Sequence, residues 1–202
     1  MKKFITLALA LCMALSASVC AYAAEISSDG GSGRTPVYLS STEDGTMEGD
    51  PSATAMSVTV PTALPMAMSQ TGDVTTADNC QIINNSYGAV RVRSVSITTA
   101  NGWRLTSFGD KSTLASEKVD SNKLGFALSI GGGTQVVTDT SDESSQYLIS
   151  APIAGCYMSG IGNTSGNTVS VDYEAIVTPL SSAVTNANIA NVVFVIEWDT
   201  AA

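Results

Sequence analysis

The chain has 202 residues, 9 of them basic, 18 acidic and none histidine. Without histidine, a Ser-His-Asp or Cys-His catalytic arrangement cannot form and the commonest metal ligand is missing. The acidic excess repels phosphate backbones and gains no counterion release from them, which argues against nucleic acid and anionic membranes as partners.

The N-terminus reads "MKKFITLALALCMALSASVCAYA". Lys2 and Lys3 form a positive n-region, an apolar run follows, and Ala21-Tyr22-Ala23 has the small-x-small pattern of a signal-peptidase site. Residues 1–23 are therefore expected to be a cleaved secretory signal. The run is too short for a membrane-spanning helix, which needs about 20 apolar residues. A lipid anchor fits poorly, because Leu11 precedes Cys12 and Val19 precedes Cys20. Cleavage removes Lys2 and Lys3, so 7 basic residues then face 18 acidic ones, a net charge of −11.

Residues 24–52 are rich in Ser, Gly, Thr, Asp and Glu and have no apolar period. Such a segment cannot bury enough surface to offset its ordering entropy and reads as a flexible acidic leader. The carboxylates Glu43, Asp44, Glu48 and Asp50 do not have the spacing of an EF-hand loop. "TPVYLSS", residues 35–41, is the only leader segment with strand character.

Residues 53–202 have a different texture, with short β-branched runs separated by turn formers. "AMSVTVP" and "CQIINNS" open the series. "AVRVRSVSITT" is the clearest strand: Val90, Val92, Val95 and Ile97 nearly alternate with polar residues, and a slip at Arg93-Ser94 suggests a bulge. "NGWRL" follows it. "KLGFALSI", "TQVVTDT", "QYLISAPI", "NTVSVDYEAIVT" and "NVVFVIEWD" complete the series. "VVFVIEW" is apolar enough for a central strand, with Phe194, Ile196 and Trp198 on one face and Val193, Val195 and Glu197 on the other. "TLASEKVDSNKL" and "LSSAVTNANIA" could each form a short helical turn. Eight to ten strands in about 150 residues predict one all-β domain, a β-sandwich or jelly roll.

Little in this pattern carries chemistry. Gly160–Gly166 and Gly131–Gly133 read as turns. Asp139, Asp142 and Glu143 share a loop. Asp172 and Glu174 lie at i, i+2 on a strand, the same face, as a solvated strand would place them. The sequons at 84–86 and 163–165 are expected to be unmodified. No cofactor, metal site or enzymatic activity is expected. After signal cleavage two cysteines remain, Cys80 and Cys156; they could form one disulfide, stabilising by about 4 kcal/mol in the chain-entropy model, or remain buried thiols.

The two tryptophans carry the one resemblance. Gly102-Trp103-Arg104-Leu105 is a GWxL segment after a strand, "SVTVPTALPM" places a Val-Pro near the start of the domain, Tyr173 lies in a later strand, and Trp198 falls near the end. This order resembles the WxL family of Gram-positive surface proteins over about residues 55–200. It departs at the distal triplet, where Asp199 and Thr200 follow Trp198 and the family has leucine. The resemblance implies a secreted, non-covalently wall-associated protein that binds a cell-wall polymer or another surface protein through Trp103, Leu105 and Trp198. From the residues alone, both tryptophans serve equally as core anchors. Two rival readings stand beside it. One is a self-assembling extracellular matrix or fibre subunit, similar to the TasA and camelysin kind, in which residues 35–41 donate a strand to a neighbour. The other is a carbohydrate-binding module.

Overall fold

The computed structural model describes residues 55–140 and 143–200. The signal, the leader with its strand-like segment 35–41, and Asp142 lie outside the described residues. The rest is nearly all β. The strands are β1 (Val58–Thr59), β2 (Met66–Met68), β3 (Val74–Thr76), β4 (Gln81–Asn84), β5 (Val90–Thr99), β6 (Arg104–Leu105), β7 (Lys123–Ile130), β8 (Val136–Val137), β9 (Ser145–Ile149), β10 (Tyr157–Met158), β11 (Thr168–Val177) and β12 (Ala190–Trp198).

They form a sandwich. The larger sheet runs β1-β4-β11-β7-β6, with β8 also on β7. Its long pair, β7 and β11, is antiparallel from Leu124↔Val177 to Ile130↔Val171, whereas β6 joins β7 in parallel. The smaller sheet is built on β5, with β12 along one side and β9 and β10 in succession along the other. β2 and β3 form a separate hairpin. Alternation explains the core: Val90, Val92, Val95 and Ile97 of β5 face Leu124, Phe126, Leu128 and Ile130 of β7 and Val171 and Tyr173 of β11, all buried. Phe126 and Tyr173 stack with ring centroids 6.0 Å apart.

The slip in β5 is a bulge. Ser94 pairs with Val195 and Val92 with Ile196, so Arg93 is the extra residue and the Val periodicity resumes beyond it. Of the two expected helical turns, the first, over residues 113–124, is not a helix: a 3-10 turn, Lys111–Leu114, only reaches its first two residues and is capped by Asp110, whose carboxylate accepts from the Ser112 N–H at 2.7 Å. The second is not a helix: residues 180–189 form an irregular loop. β12 also departs from expectation. Its faces are as predicted, but among the described residues it pairs with β5 alone, so it is an edge strand and not a central one. Cys80 (half-buried) and Cys156 (buried) are free thiols, and burial pushes the Cys156 thiol up from its ordinary pKa.

Candidate functional site

An open cleft of about 1010 Å³ lies between the β2–β3 hairpin and the free side of β12. One wall is Thr62–Met68, the other the 180–189 loop and the start of β12, and the floor is Ile97, Trp103, Leu124 and Phe126 of the core. None of the described lining residues is charged.

Local sequence builds each wall. The hairpin wall is tied to the sandwich by Tyr173, whose hydroxyl donates to the Pro65 carbonyl and accepts from the Ala77 N–H at 3.1 Å. Burial raises the Tyr173 pKa, so the hydroxyl stays a donor. The hairpin turn is held by Ser69, whose carbonyl accepts from Gly72 N–H, and by Gly72 at φ 78°. On the far wall, the Asp120 carboxylate accepts from the Ser181 N–H at 2.9 Å and the Ser181 hydroxyl at 2.5 Å. The hydroxyl bond, then the amide bond, lowers the Asp120 pKa. Asn101 Nδ2 donates to the Asn188 carbonyl at 2.7 Å and the Ala100 N–H to that of Ile189 at 2.9 Å.

The Asn101-Gly102 pair, at φ 51° and 83°, makes the tight turn that ends β5. It delivers Trp103 to the cleft floor, where the side chain is half-buried. Two residues on, Leu105 is fully buried and has no surface to offer a ligand. The W-x-L triplet thus points its leucine into the core. Trp198 is half-buried and packs on Gly88, where a Cβ would lie 3.0 Å from Trp198 Cζ3. Trp198 pairs with Val90 at the start of β5, while Trp103 follows the end of that strand. The two rings are thus separated by the length of β5, about 30 Å at ~3.3 Å per residue, and do not share a surface.

The outer face of the smaller sheet shows the two valines that the period-two pattern places there and, beside them, exposed tyrosines that the pattern did not mark. Val193 and Val195 of β12 are 50% and 41% exposed. Tyr147, exposed, lies across Ser96 of β5 from Val193, and Tyr157, also exposed, lies across Arg91 from Glu197. The signal for Val193 and Val195 was the period-two pattern itself, which put two valines on the wet face. Asp172 and Glu174 are exposed on the same face of β11, as predicted. Asp139 donates its N–H to Gln146 Oε1 at 3.1 Å. Among the described residues no group of three or more Cys, Asp or Glu side chains is placed to hold a metal ion, and no helix is long and apolar enough to cross a membrane.

Comparison with protein-family models, with curated proteins and with solved structures returns no match. The cleft and the β12 edge therefore carry the functional argument.

Proposed function

We propose that this chain is a secreted, non-enzymatic bacterial surface protein that works by associating with copies of itself, as a matrix or fibre subunit. One observation carries the reading: an apolar nine-residue strand, β12, left at a sheet edge beside an uncharged cleft. Long, flat, apolar edges are templates for pairing with another chain, and monomeric proteins blunt them with charge, proline or cover. β12 has one charged residue, Glu197, and its carboxylate is engaged by Arg91 at 2.7 Å and Arg93 at 3.7 Å from β5. The strand-like leader segment 35–41 is a second donor available to such an edge.

Wall binding through the tryptophans has less support, because Leu105 is buried and Trp103 and Trp198 sit at opposite ends of β5. The experiment is sedimentation velocity and electron microscopy of residues 24–202 over a wide concentration range, with co-sedimentation on purified Gram-positive cell walls in parallel. Mass that rises with concentration supports the subunit reading. A concentration-independent monomer that is retained on walls replaces it with the wall-anchor reading.

A further inference from the structure

Alternation along β12 settles which backbone groups face its free side. The Ile189 carbonyl accepts from Ala100 and the Asp199 N–H donates to Ala89, so the odd-numbered residues turn their backbone groups toward β5 and its flanks. Ala190, Val192, Phe194, Ile196 and Trp198 therefore turn their N–H and C=O groups to the open edge. Their side chains face the core, yet each is only half-buried, because none of the described strands flanks them.

We propose that this edge pairs with the β12 edge of a second copy, antiparallel, about a two-fold axis at Phe194. The inference rests on the reading of the chain as a self-associating subunit and names its contact. In this register Phe194 meets Phe194 of the second copy, Val192 meets Ile196, and Ala190 meets Trp198. All five edge-facing residues then fall in hydrogen-bonded pairs, and no outward backbone group of the strand is left over. The side chains agree. On the outer face Val193 meets Val195, and Asn191 meets Glu197, so the single charge of the strand faces a neutral amide and never its own kind. Same-parity pairing also keeps both cores on one side of the joined sheet, so the half-buried Val192, Phe194 and Ile196 gain apolar neighbours from the second copy. The contact is isologous: the strand is complementary to its own reverse.

Cross-linking reads the register directly. Val193 and Val195 of the second copy form a non-hydrogen-bonded pair, the closer of the two spacings in an antiparallel ladder. Chains carrying Val193→Cys mixed with chains carrying Val195→Cys are expected to give an oxidised mixed dimer, in clear excess over either variant alone and over the parent chain with its own two cysteines. Val192→Pro removes an edge-facing N–H without breaking the β5 ladder. It should leave the thermal melt near that of the parent and weaken association about tenfold or more, since two interchain bonds are lost. Removal of residues 24–50 should leave the dimer intact. An associating chain that gives no excess mixed cross-link, that keeps its affinity with Val192→Pro, or that needs residues 24–50, overturns this contact but not the subunit reading; in the last case the leader is the occupant of the edge. A monomer at every concentration overturns both.

Discussion

The Tyr173 hydroxyl donates to the carbonyl of Pro65, 108 residues earlier in the chain, and so ties the hairpin wall of the cleft to the central strand of the larger sheet. β2 pairs only with β3 among the described strands, so the hairpin is otherwise held by the packing of Leu64, Met66 and Val74 on the core and by the Lys111–Asp73 ion pair. Tyr173→Phe keeps the ring and its stacking on Phe126 but leaves the Pro65 carbonyl and the Ala77 N–H without this partner. The expected cost is about 1–3 kcal/mol, with amide exchange rising in residues 62–77 ahead of β7 and β11. Uniform exchange through the domain would mean that the hairpin is held by something else.

The opposite wall depends on a carboxylate. Hydrogen bonds from Ser181 hold the Asp120 pKa below its ordinary 3.8. A depressed folded pKa means that the unfolded chain takes up the proton more readily. The bond therefore contributes fully above about pH 4 and is lost as pH falls through the lower folded value. Asp73 and Asp110 are lowered too, by Lys111 and by Ser112, so the parent loses stability in acid in any case. The contribution of Asp120 is read by difference: Asp120→Asn should be less stable than the parent at pH 6 in urea, and the gap should close toward pH 3. A gap that stays constant across this range would exclude the carboxylate bond as its source.

Thiol chemistry follows from the two free cysteines. A reductant should leave the melting temperature of the folded chain unchanged. A thiol-reactive probe should label half-buried Cys80 before Cys156, because Cys156 is buried and its thiol pKa is raised. A lower melting temperature on reduction would mean that the thiols are bonded in the protein as isolated.

Two glycines separate packing from backbone strain. At Gly155, φ is 90° and an added Cβ would lie 2.0 Å from the Ile130 carbonyl oxygen; at Gly132, φ is 68° and nothing lies within 4 Å. Gly132→Ala should cost only the left-handed backbone penalty, about 1–2 kcal/mol. Gly155→Ala adds a backbone clash and should cost clearly more. Equal denaturation midpoints for the two variants would mean that the loops around Gly131 and Gly155 separate readily.

The architecture was largely legible, because a strand with one wet face writes period two into the chain. β5, β11 and β12 carry that pattern, and even the bulge at Arg93 shows as a slip in it, whereas β7 is buried on both faces over Leu124–Leu128 and alternates only between large and small residues. Strand order is another matter. "VVFVIEW" has the apolarity of a central strand, and nothing in its own residues says that only one of the described strands pairs with it. The β2–β3 hairpin was also missed, although the Thr71-Gly72-Asp73 turn between Met66–Met68 and Val74–Thr76 is a usable signal. The cleft was not legible at all. Its walls come from residues near 65, 103, 125 and 185, which only the tertiary fold brings together. In the W-x-L triplet the placement of the two side chains was not legible either: in a strand, Trp103 and Leu105 would sit two apart and share a direction, but the turn at Asn101-Gly102 leaves Trp103 before the strand and only Leu105 inside it.

The uncharged lining of the cleft has one more consequence. The full chain carries a formal net charge of −9, yet a strand laid between β2 and β12 would touch no ionised group of the lining. Ionic strength then acts on the approach of two such molecules and hardly at all on their parting. In dilute buffer like-charged copies meet rarely; in brine they meet often; in both, an occupied cleft empties at nearly the same rate.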